Sequence, residues 1–115
     1  MSESFHGSLE NAPVAKEEIL QLLKSEGKST AAIECVVRWV EQRQAEIEKI
    51  PSKEMCAKAS IEFDIEYAEL FKEAGLLEDA WSILNDSIDR AVAFSELLLA
   101  DQIRKLMGEL ENTPD

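Results

Sequence analysis

From about residue 14 to residue 110, apolar side chains recur every three or four positions, in runs set apart by short polar breaks. Ile19, Leu22 and Leu23 form the first stripe; Pro13 suits its first turn, with Asn11 or Ala12 near the cap and Gly27 at the stop. Ser29 or Thr30 caps a second helix with the stripe Ile33, Val36, Val37, Val40, Gln44, Ile47. Pro51 breaks it and Ser52 caps a third, lined by Ala57, Ile61, Ile65, Ala68 and Phe71 and widened by Phe63, Tyr67 and Leu70. The run IEFDIEYAEL alternates briefly, as a strand would, but its flanks and its Ala, Glu and Leu content read as helix. Gly75 ends this helix at a turn that favours positive φ. Leu77, Ala80, Trp81, Leu84 and Ile88 then open a fourth stripe. The pattern predicts an all-α, antiparallel bundle of four to five helices, near 14–26, 30–49, 53–74 and 76 onward. Its expected core is Leu23, Val36, Val40, Ile61, Ala68, Phe71, Ala80, Trp81 and Leu84. Residues 1–12 read as a flexible tail, 13–111 as a single helical domain and 112–115 as a frayed end.

The C-terminal stretch poses a geometric problem. After Gly75 no Gly or Pro appears until Gly108. Apolar phase holds from Leu77 to Leu110, so the pattern favours one continuous helix over residues 76–110. Such a helix measures about 52 Å, against about 30 Å for the second and third. The overhang would expose Leu98, Leu99, Ile103, Leu106 and Leu110, an apolar surface that a two-fold homodimer would bury. The alternative is a turn at Val92 to Phe94, with Ser95 capping a fifth helix that folds back.

Ala68, Phe71, Gly75, Ala80, Leu84 and Ser87 stand at the spacing of one tetratricopeptide (TPR) repeat. Over residues 61–94 the chain resembles that family, and the same hairpin is similar to part of the small three-helix domains of microtubule-associated transport ATPases. The resemblance implies a TPR-like hairpin: two antiparallel helices brought close by small residues, with bulky ones beside them. It also implies the turn near Val92. Asp64 and Tyr67 stand where the family has Trp and Leu, and Val92 stands where it has Pro. No second copy lies 34 residues away in either direction, so no tandem array is expected.

Composition narrows the function. The chain of 115 residues carries 24 acidic side chains against 12 basic, a formal charge of −12. That balance opposes binding to a phosphate backbone, and no run approaches the length of a membrane span. Residues 18–40 have a helix–turn–helix rhythm, but Glu34 and apolar residues stand where base-reading groups would project. Neither nucleic acid nor membrane is an expected partner. The first residues have no basic segment and no apolar core, so no signal peptide is evident and a cytoplasmic location is expected. Cys35 and Cys56 are then read as reduced thiols.

Site chemistry is sparse. His6 is the single histidine, and neither a Ser/His/Asp nor a Cys/His set can be assembled around it. No catalytic residue, metal site or cofactor is expected, and the chain is read as non-enzymatic. Residues 62–90 hold nine carboxylates against Lys72 and Arg90. Among them Glu62, Glu66, Glu69 and Glu73 recur at i, i+4, i+7 and i+11, one face of the third helix. They form either a strip for a basic partner or a solvated face. Asp64, close to the apolar stripe, needs a partner such as Arg38 or Arg43. Trp39 and Trp81 lie in apolar phase and are read as core. The reading that results is a helical protein–protein interaction module with an unidentified protein partner, or else a self-associating structural subunit, with a small carboxylate-based enzyme as the remote alternative.

Overall fold

Side-chain caps start two of the helices, and backbone turns or a proline close others. A computed structural model describes residues 15–112. They form five helices and no strand: α1 (Lys16–Glu26), α2 (Thr30–Glu48), α3 (Lys53–Glu73), α4 (Leu77–Ala93) and α5 (Leu97–Glu111). The expected tail over residues 1–12, the Pro13 turn and most of the C-terminal end lie outside the described residues. Ser29 Oγ accepts the Ala32 N–H at 3.2 Å and Ser52 Oγ accepts that of Met55 at 3.3 Å. Each cap of this kind stabilises by about 1 kcal/mol. Pro51 stops α2, as its missing N–H requires.

The turns after α3 and α4 are the same structure built from different residues. After α3, Gly75 sits at φ +85°, the Leu76 N–H reaches the Phe71 carbonyl at 2.9 Å and the Gly75 N–H that of Lys72 at 3.0 Å. After α4, Ser95 sits at φ +59°, the Glu96 N–H reaches the Ala91 carbonyl at 2.8 Å and the Ser95 N–H that of Val92 at 3.0 Å. Both are Schellman turns with the left-handed residue at the same place. The continuous helix expected over 76–110 is therefore incorrect, and its overhang does not exist. The turn expected near Val92 is present, but Ser95 occupies its left-handed position and does not cap α5. Glu96 takes the N-cap position, with no side-chain hydrogen bond there.

α5 folds back, and this corrects the self-association set. Leu99, Ile103 and Leu110 are buried in the chain's own core and Leu106 packs against it. Leu98 alone of the five points outward. The helices alternate between two layers, with α1, α3 and α5 in one and α2 and α4 in the other. The slab is 16 Å thick, with faces of 50 × 42 Å. Ala68, Ala80, Ala91 and Ala100 are buried where α3, α4 and α5 meet, so small residues let these helices close up. The α2 side of α3 is filled differently. Trp39 meets Phe63 edge-on at 4.8 Å and Tyr67 at 5.8 Å, and Tyr67 meets Phe71 at 5.1 Å.

Most of the expected core is buried, including Leu23, Val36, Ile61, Phe71, Ala80, Leu84 and Trp39. Two expectations need correction. Trp81 is 36% exposed and donates its Nε1–H to Glu111 Oε2 at 3.3 Å. The buried stripe of α4 is Ala80, Leu84, Ser87 and Ala91, and Trp81 stands one residue, about 100°, off it. Val40 is half-buried on the flank of α2.

Candidate functional site

α2 and α4 both rest on α3 but stay apart from each other. The space between them is a groove of about 590 Å³. Gln44, Ile47 and Glu48 form its α2 wall, Arg90 and Phe94 its α4 wall, and Lys53, Cys56, Ala57 and Ser60 its floor on α3. Ile33 and Val37, both exposed, fall on the same flank of α2 as Gln44. The Lys28–Asp79 ion pair, 3.3 Å long, ties the start of α2 to the start of α4 at the other end. Cys56 is half-buried on the floor, and its thiol donates to the Ile47 carbonyl at 3.4 Å.

A polar cluster joins α3 to α4 beside this floor. Ser87, 1% exposed, donates its hydroxyl proton to Asp64 Oδ2 at 2.7 Å. Arg90 pairs with the same oxygen and donates through Nη1 to Ser60 Oγ at 3.0 Å. The expected partners of Asp64, Arg38 and Arg43, are thus incorrect. Both lie on α2, whereas Asp64 points toward α4. Burial raises the Asp64 carboxyl above its ordinary 3.8 and Asp86 adds to this, while the Ser87 hydrogen bond and the Arg90 charge oppose it. A second hollow of about 340 Å³ lies here, between Asp64, Tyr67, Ile83, Asp86, Ser87 and Arg90. Ser87 is closed to substrate and its proton is already committed to a weak base. The arrangement is an interhelical latch that also fixes the Arg90 side chain at the groove wall.

The acidic strip divides. Glu66 turns toward the neighbouring helices, with Arg43 Nη1 at 3.0 Å and Lys16 Nζ at 3.6 Å. Its Oε1 is buried, and no donor among the described residues meets it at a hydrogen-bonding angle. Arg43 also lies over the Phe63 ring at 5.0 Å. Glu62, Glu69 and Glu73 remain exposed and make no ion pair among the described residues. Glu66 leaves the row because its side chain borders α1 and α2, which repetition along one helix does not reveal.

The groove was not visible in the sequence pattern, since its walls come from two helices whose backbones stay apart. The latch left a trace: Asp64 beside an apolar stripe and Ser87 in apolar phase, 23 residues apart. Among the described residues no group of three or more His, Cys, Asp or Glu side chains is placed to hold a metal ion, and no helix is long and apolar enough to cross a membrane. His6 lies outside the described residues. Compared with models of known families, with characterised proteins and with solved structures, the chain finds no match.

Proposed function

We propose that this chain is a non-enzymatic helical module that binds another protein, and that the groove between α2 and α4 is where the partner docks. The carrying observation is the groove itself: a floor of Cys56, Ala57 and Ser60 with Lys53 at one end, beside a wall that leaves Phe94 in water. An amphipathic helix laid into an apolar groove is a recurring mode of protein recognition. Arg90, held by Asp64 and Ser60, supplies a fixed donor on one wall. A partner segment with an apolar stripe would cover Phe94 and Ile47 while accepting a hydrogen bond from Arg90.

A second reading rests on Glu62, Glu69 and Glu73, exposed in one row on the opposite layer. They would hold Lys or Arg side chains of a basic partner, and binding would weaken as salt screens the charges within about 8–10 Å. Affinity capture from native extract, read by quantitative mass spectrometry, separates the two. Three baits are compared: the unaltered chain, Gln44→Trp, which fills the groove from an exposed position, and Glu62→Gln/Glu69→Gln/Glu73→Gln. A protein retained by the triple variant and lost with Gln44→Trp supports the groove. The reverse pattern assigns binding to the acidic row.

A further inference from the structure

We infer that a second copy of this chain docks at the mouth of the groove, each copy inserting its α4–α5 turn beside Phe94 of the other. This rests on the groove being a docking surface. The turn is unusually apolar for a surface: Val92, Phe94, Leu97 and Leu98 are 48%, 49%, 63% and 85% exposed. A monomer gains nothing by holding Leu97 and Leu98 outward at the first turn of α5, where polar residues serve as well. Knob and hole also share a residue, since Phe94 belongs to the turn and lines the groove. When protruding and receiving surfaces adjoin, a two-fold axis between them satisfies both at once and closes the assembly.

Charge favours the same contact. Two chains of formal charge −12 repel over most of their surface, but of the two cations that line the groove, Arg90 is already paired with Asp64 and Lys53 stands beside Glu48, open to a carboxylate of a second copy. Lys53, on the groove floor, and Glu96, within the turn, make no ion pair among the described residues. The two-fold arrangement brings the turn of one copy, with Glu96, to the floor of the other, with Lys53. Four exposed apolar side chains per copy are far fewer than the roughly 20–30 residues a side that a stable interface uses. Association is therefore weak, with a Kd on the order of 10–100 µM.

Sedimentation equilibrium of the full chain from about 5 µM to about 500 µM tests this. The mass should rise from 12.9 kDa toward twice that value. Leu98→Asp, at an exposed position, should weaken association by at least about tenfold without changing the helical circular dichroism. Lys53→Glu and Glu96→Lys should each weaken it, and the double charge swap should restore it. A monomeric mass throughout overturns the inference and leaves the groove reading to the capture experiment. A dimer indifferent to Leu98→Asp also overturns it, because another surface then pairs. Sedimentation of the monomer with phosphatidylcholine vesicles, lost in Leu98→Asp, would assign the turn to a bilayer and overturn it too. A Leu98-dependent dimer together with capture insensitive to Gln44→Trp would instead sink the groove reading for other partners.

Discussion

Replacing Ser95 by Gly should stabilise the fold, and the sign of that change discriminates between two structures of the C-terminal half. Ser95 sits at φ +59° in the turn that lets α5 fold back. A residue with a Cβ in the left-handed region is disfavoured by about 1–2 kcal/mol, and Gly escapes that penalty. Gly also gives the unfolded chain more freedom, which offsets about 0.4–1 kcal/mol. The Ser95 side chain is exposed and makes no hydrogen bond among the described residues, so no contact is lost. The net expectation is a gain of about 0.5–1 kcal/mol, or a Tm rise of about 2–6 °C for a domain of this size. Gly75→Ser is the reciprocal control. Gly75 has φ +85° and open space where a Cβ would stand, so the loss there is torsional, of similar size and opposite sign. Thermal and urea unfolding followed by circular dichroism read both. A continuous helix through residue 95 requires the contrary result, since Gly in a helix interior is worse than Ser by a few tenths of a kcal/mol. A lower Tm for Ser95→Gly would refute the turn and restore the long helix.

Ala80→Leu should overpack the contact of α4 with α3, where Ala80 is fully buried, and lower stability by about 1–3 kcal/mol; an unchanged Tm would mean the close approach is absent. Asp64 has a folded-state pKa raised above 3.8 by burial, so the native state binds that proton more tightly than the unfolded chain does. Its contribution to stability is then full below pH 3.8 and is lost as pH rises through the raised value. Asp64→Asn removes that loss. The Tm difference, variant minus unaltered chain, should become more positive from acid to neutral pH, and a flat difference would contradict the burial argument. Relative to the unaltered chain, Glu62→Gln/Glu69→Gln/Glu73→Gln should keep its Tm within about 3 °C, because all three side chains are exposed and free of ion pairs among the described residues. A larger drop would show that the row is structural.

The helical class and the first three helices were legible because periodicity, Ser caps and Pro51 all point the same way. The hairpin at Gly75 was legible for a specific reason: Gly announces a left-handed turn. The identical turn at Ser95 was obscured because its residue does not. Apolar phase alone cannot detect it, since Leu99, Ile103 and Leu110 serve a folded-back helix as well as a continuous one. Trp81 shows another limit, where a one-residue offset separates core from surface. Of the candidate site, the acidic row was readable along one helix. Its break at Glu66 depends on Arg43 and Lys16, which come from two other helices. The groove depends on α2 and α4 failing to meet, a consequence of α3 spacing them apart that no local pattern carries.

The position of a bound partner is the most direct test of the groove as the docking surface. Amide hydrogen exchange of the captured complex, compared with the free chain, maps it. The expected footprint is slower exchange in residues 44–60 and 90–94, with residues 62–73 unchanged apart from amides already protected inside α3. Protection at the exposed face of α3 beside Glu62, Glu69 and Glu73, with residues 44–60 and 90–94 exchanging as in the free chain, would contradict it.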